Sequence, residues 1–312
     1  MGHVSGIAYV RYQAPDLDLM ENFLLDFGMI RSVRTASALY MRGTGPNHHL
    51  HITELGEQSR GIGIGMIAAS LTDLEEIAAS AGATIEESNE PGGGLRAILT
   101  DPNGFRVDII HGQQQLEPLP VRMPLILNNS LETNRVGKVQ RPEPGPSHVA
   151  RTEHAVLIGP NFAEALDFYE NTLGMKISDR SYDGHVDNTV AAFIRCGLGD
   201  GYTDHHTIGL LNAPMTGFEH CAFISLDWDD VMLGHEHLKA AGYSHAWGVG
   251  RHTLGSEVFD YWLDPFGNKV EHTSDGDMLN DSHVAGDTPI ELENYFIWAP
   301  PPVPRVHEEP VA

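Results

Sequence analysis

Two halves of this chain carry the same series of signals, and a repeat of that kind constrains the fold more than any single stretch does. Phe27-Gly28-Met29 returns 146 residues later as Leu173-Gly174-Met175. Ala81-Gly82 returns 160 residues later as Ala241-Gly242. The turn Asp101-Pro102-Asn103-Gly104, running on to Val107-Asp108, returns 163 residues later as Asp264-Pro265-Phe266-Gly267, running on to Val270-Glu271. The widening interval means small insertions in the second half. Each half divides again into a strand, a helix and further strands, which predicts four copies of one module and an α+β fold.

Periodicity fills in the modules. Apolar residues at helical spacing mark helices over 17–27, 71–81, 162–173 and 228–241, each stopped by a glycine. Strands are expected at 6–10, 38–41, 49–53, 63–69, 94–100 and 105–110, and again at 153–158, 189–196, 206–211 and 220–226. The last hairpin runs in over 256–263, turns at Asp264-Pro265-Phe266-Gly267-Asn268 and runs out over 269–273. Residues 113–148, rich in Pro, Asn and Gln, read as a connector between a domain at 1–112 and one at 149–276. The tail, 277–312, carries an aromatic run at 295–298 ahead of Pro300, Pro301 and Pro302, which favours extended chain. It is a candidate lid, with Tyr295 or Trp298 against a ligand.

Composition removes several functions. Lys and Arg number 19 against 43 Asp and Glu, a formal charge of −24. Such a surface repels phosphate backbones and anionic lipid, so neither nucleic acid nor membrane is an expected partner. Two cysteines, Cys196 and Cys221, make no disulfide framework. Met1-Gly2-His3-Val4 lacks a basic region followed by an apolar core, so no signal peptide is expected and the cytoplasm is the expected location.

Eighteen histidines are many for 312 residues. His154 lies on the first strand of the second half, His220 opens a later strand, and Glu271 lies on the last. A carboxylate facing into a sheet is costly without a cationic partner. Two histidines and one carboxylate on three strands of one sheet suit a single divalent metal with open positions, the facial set of non-heme Fe(II) oxygenases. Taken singly, each histidine is more often structural. By the intervals above, however, Ala8, Arg60 and Asp108 stand in the first half where His154, His220 and Glu271 stand in the second. A site present in one copy and absent from the other points to specialisation. His206, His252 and Tyr261 are candidates for chemistry beside the metal. His205 is expected to be exposed, and the residues alone do not choose between it and His206.

Together, His154, His205-His206-Thr207, Glu219-His220-Cys221-Ala222-Phe223 and the stretch from Gly250-Arg251-His252 to Glu271 resemble the type I extradiol catechol dioxygenases. These belong to the vicinal oxygen chelate superfamily, built from paired βαβββ modules. The resemblance covers essentially the whole chain and is strongest over 150–276. It implies that His154, His220 and Glu271 hold Fe(II), with Mn(II) used by some relatives. It implies that His206 is the acid/base residue, that Tyr261 bonds a catechol oxygen, and that His252 contacts the substrate edge. The implied partners are an aromatic diol and dioxygen, in a homo-oligomer. Relatives acting on carboxylated catechols carry arginine five residues before the His252 position, where this chain has Trp247. An uncharged, alkyl- or aryl-substituted catechol is therefore expected, unless Arg251 or Arg180 supplies the charge. The competing readings are a glyoxalase- or epimerase-like metal enzyme and a non-catalytic protein of this fold that sequesters a ligand.

Overall fold

The Asp-Pro turns show why the repeat is structural. In a computed structural model describing residues 1–301, the Asp101 carboxylate accepts from the Asn103 and Phe105 amides at 2.9 and 2.8 Å. Asp264 accepts from those of Phe266 and Asn268 at 2.8 and 2.9 Å. One side chain thus satisfies two turn amides in each copy, and the hairpins that follow have one register. The helices end as expected. Gly82, Gly174 and Gly242 adopt left-handed φ of 64°, 67° and 85°, where other residues are strained.

Two sheets result. The first orders its eight strands as Ile30–Arg34, Ala38–Arg42, His51–Leu55, Val4–Ala14, Arg60–Ala68, Arg106–His111, Leu95–Thr100 and Ile85–Glu87. The inner eight strands of the second repeat that order: Met175–Tyr182, Thr189–Cys196, Ile208–Asn212, Arg151–Gly159, Gly217–Ile224, Lys269–Ser274, Val258–Leu263 and Ser244–His252. Each sheet is two βαβββ modules joined through their antiparallel first strands. The fold is thus the paired-module fold of the vicinal oxygen chelate superfamily.

Four strands of the repeated modules had no signal strong enough to read: Ile30–Arg34, Ile85–Glu87, Met175–Tyr182 and Ser244–His252. Each lies at or next to a sheet edge, where one side of the ladder needs no apolar partner and charged residues interrupt the alternation. The tail adds two more strands to the second sheet. Gly286–Pro289 pairs with Met175–Tyr182, and Phe296–Trp298 pairs with Ser244–His252. Pro302, the last of the three consecutive prolines, lies outside the described residues.

The halves share one core. Tyr12 packs edge-on to Phe218 at 5.2 Å, and Phe27 stacks on His272 at 3.7 Å. Gly28, at φ 108°, lies so close to Ser147 that an added Cβ would sit 2.0 Å from its carbonyl oxygen. Arg122, from the connector, reaches the Asp227 carboxylate at 2.6 and 2.7 Å. Among the described residues, no helix is long and apolar enough to cross a membrane.

Candidate metal centre

Strand pairing brings the expected donors together. His154 lies opposite Ala222 on the antiparallel neighbour, and Ala222 lies beside Glu271 on the parallel one. His220 precedes Ala222 by two residues, on the same face. His154 Nε2 lies 3.1 Å from His220 Nε2, and Glu271 Oε2 lies 3.3 and 3.2 Å from those two nitrogens. Bonds of about 2.1 Å at right angles to one ion would hold three donors about 3.0 Å apart, so this spacing fits a facial set. The Glu271 side chain is fully buried, and neither of its oxygens is taken up by a hydrogen bond. Burial alone lowers the His154 pKa, yet Glu153 and Glu271 outweigh it and raise it to about 10. Burial likewise opposes ionisation of Glu271, but His154 and His220 hold it well below the usual carboxylate range. The pocket therefore calls for positive charge at one point, which a divalent cation satisfies.

Around this point lies a cavity of about 410 Å³, lined by His154, His206, His220, His252 and Tyr261. The His206 ring centre is 4.1 Å from that of His154. Burial, with His154 adding to it, pushes the His206 pKa well below its usual value, so the ring is neutral at pH 7. His252 Nε2 and the Tyr261 hydroxyl are 2.9 Å apart, and His252 Nδ1 meets the Tyr295 carbonyl at 2.9 Å. Burial, then Glu271, raises the Tyr261 pKa well above 10 and keeps the phenol protonated. Val156, Phe193, Trp247, Leu254, Leu292 and Tyr295 make much of the remaining wall.

Three expectations need correction. His205 is not exposed: it is buried, with Nε2 2.8 Å from Asp179 Oδ2 and Nδ1 3.1 Å from His206 Nδ1. Arg251 is not among the residues lining the cavity, because the Ser256 carbonyl at 2.6 Å and the Asp275 carboxylate at 2.9 Å hold its guanidinium. Arg180 is held likewise by Asp287. Of the tail aromatics, Tyr295 lines the cavity, whereas Trp298 packs on Trp228 with ring centres 5.8 Å apart.

Sequence reasoning missed Glu219 and Lys269. They pair with each other in the cavity wall, and Glu219 also bonds His220 Nδ1. The signal was present, since a carboxylate beside a ligating histidine is a common orienting partner.

The twin in the first half is also reassigned. Tyr9 pairs with Gly65, and Gly65 lies beside Asp108, as His154 pairs with Ala222 beside Glu271. Tyr9 and Gly63, not Ala8 and Arg60, therefore correspond to His154 and His220, while Asp108 does correspond to Glu271. Constant intervals measured between turns and helix ends skipped the insertions between strands. Both histidines are still absent from the twin. Arg11, at the position of Val156, lies 3.2 Å from Asp108 and supplies a fixed positive charge there.

The Glyoxalase/Bleomycin resistance protein/Dioxygenase superfamily matches residues 151–272. Metapyrocatechase 2 of Cupriavidus necator is 30% identical over 301 residues, spanning 95% of this chain and 89% of that protein. The chain belongs to the type I extradiol dioxygenases. Two solved structures share the fold of this dioxygenase. The Mn(II)-bound glyoxalase from Novosphingobium aromaticivorans has a TM-score of 0.78 at 24% identity, covering 100% of this chain and 97% of that one. Homoprotocatechuate 2,3-dioxygenase from Brevibacterium fuscum has a TM-score of 0.77 at 18% identity, covering 97% and 91%. Extradiol dioxygenases open a catechol ring beside its two hydroxyls with dioxygen, and that chemistry calls for a divalent metal.

Proposed function

We propose that this dioxygenase binds Fe(II) through His154, His220 and Glu271 and opens an uncharged, alkyl- or aryl-substituted catechol. The observation that carries the reading is the meeting of two imidazoles and one unshared carboxylate within 3.3 Å in a largely apolar cavity. Two histidines and one carboxylate are the donor set of non-heme Fe(II) oxygenases, which supports Fe(II) as the ion. When bound, a divalent ion lowers the pKa of a chelating catechol hydroxyl and leaves positions open for dioxygen.

The chain's own groups do the rest. Tyr261, hydrogen-bonded to His252, bonds a diol oxygen and holds its orientation, while His252 contacts the substrate edge. His206 lines the same cavity, its ring beside that of His154, and, being neutral, takes up a proton and returns it as the ring opens. Trp247, Phe193 and Leu254 exclude water and accept an apolar ring substituent. The cavity wall's one ammonium, Lys269, is neutralised by Glu219, so no unpaired cation among the described lining residues awaits a substrate carboxylate. Both atoms of dioxygen enter the product. On this reading 1–112 is a metal-free domain, 149–276 the catalytic one, and 277–312 a tail whose Tyr295 closes the mouth of the cavity. A glyoxalase-like site drawing ligands from both halves has little support, because Tyr9 and Gly63 stand where its histidines are needed.

Anaerobic loading with Fe(II), then 3-methylcatechol and air, tests the reading. Oxygen uptake with a yellow product is expected, and turnover of a carboxylated catechol should be far slower. No oxygen uptake with any catechol would refute the activity, and equal turnover of the two would refute the substrate class.

A further inference from the structure

Four carboxylates are 0% exposed among the described residues: Asp108, Asp230, Asp260 and Glu271. Asp108 meets Arg11 and Arg106, and Asp230 meets Arg122. For Glu271 and Asp260 the basic side chains within reach among the described residues are all imidazoles. Asp260, one residue before Tyr261 and on the opposite face of the same strand, thus shares with the metal centre a fully buried carboxylate between two imidazoles.

We propose that His235, His245 and Asp260 form a second metal site, for a divalent transition ion of the Zn(II) type, behind the catalytic hairpin. Their donor atoms all lie within 4.8 Å of one another. His235 Nδ1 is 3.1 Å from each Asp260 oxygen, and His245 Nε2 is 2.8 Å from Oδ1. Tetrahedral bonds of about 2.0 Å separate donors by about 3.3 Å, so a few tenths of an ångström of opening admits the ion. The two histidines are free to give that much, with side chains 14% and 24% exposed. Their rings stand nearly perpendicular, 4.9 Å apart, and aim two different nitrogens at one carboxylate.

Asp260, by contrast, is fixed. Trp262 Nε1 donates to its Oδ2 at 2.6 Å, which orients the carboxylate as an outer-shell partner orients a metal ligand. Two imidazoles and one carboxylate suit a borderline ion such as Zn(II), with a solvent-facing fourth position. His235 lies on helix Trp228–Ala241, His245 on strand Ser244–His252 and Asp260 on strand Val258–Leu263. An ion there ties the helix to the hairpin whose other face carries Tyr261.

Zn(II) stoichiometry, measured by equilibrium dialysis of the full chain and elemental analysis, tests this. Two ions per chain are expected for the parent protein, one for H245Q and one for H154Q/H220Q, with circular dichroism confirming each fold. H235Q replaces H245Q, with the same expectation, should the latter fail to fold. Zn(II) in H154Q/H220Q that disappears on adding H245Q supports the second site even if the catalytic reading fails. An undiminished count in H245Q and H235Q, or no Zn(II) in folded H154Q/H220Q, overturns it.

Discussion

Replacing Arg11 with methionine removes the positive charge that stands in the first half where the second half calls for a metal. Its side chain is 2% exposed, and its guanidinium lies 2.6 Å from Glu54, 2.7 Å from Glu90 and 3.2 Å from Asp108. Breaking one partner from a buried ion pair costs about 3–5 kcal/mol, because the remaining charge stays buried. Asp108 keeps Arg106 at 2.7 Å and the Tyr9 hydroxyl at 2.8 Å, and Glu90 keeps Arg96 at 3.3 Å. The lower end, about 3 kcal/mol, is therefore expected. With a urea slope of about 3 kcal/mol/M, the unfolding midpoint falls by about 1 M. Adding Asp108→Asn removes the stranded charge and should restore at least half of the loss. A single-variant loss under about 1 kcal/mol, or a double variant no better than the single, would refute the view that Arg11 takes the cation's place.

Other outcomes follow from the same geometry. Burial lowers the pKa of His49 and of His51 to about 3, so each stays neutral in the folded chain while the unfolded chain protonates it below about 6.5. Stability is thus lost as pH falls from 6.5, and His51→Gln should reduce the pH 7-to-5 drop in urea stability by about 2 kcal/mol; an unchanged drop would count against it. Glu219→Gln, which removes the carboxylate behind His220, should weaken metal binding about 10–100-fold in a chelator competition, and undiminished affinity would exclude an orienting role. His206→Asn should lower kcat about 10²–10⁴-fold with metal content unchanged, whereas lost metal would make it a ligand instead. Trp247→Arg should raise kcat/KM for a carboxylated catechol relative to 3-methylcatechol, and an unmoved ratio would place selectivity elsewhere in the wall.

What was legible in the chain was what short-range chemistry encodes. The Asp101 and Asp264 turns, the glycine helix stops and the pairing of Tyr261 with Glu271 across the hairpin all depend on residues close in sequence. His154 and His220 were readable because one repeat carries them and the other does not. The rest needed three dimensions. Asp179, on strand Met175–Tyr182, holds the His205 ring inside, and Ser256 and Asp275 draw Arg251 away from the cavity. Lys269 finds its partner in Glu219, 50 residues earlier. Tyr9 rather than Ala8 matches His154 because register, set by ladder hydrogen bonds, absorbs insertions that a fixed interval does not.

The account rests on three donors sharing one ion, and iron-edge anomalous diffraction from crystals grown with Fe(II) under anaerobic conditions tests it most directly. An anomalous peak about 2.1 Å from each of His154 Nε2, His220 Nε2 and a Glu271 oxygen is the expected result. A peak that leaves out any one of the three, or iron bound elsewhere with these side chains bonded only to each other, would contradict it.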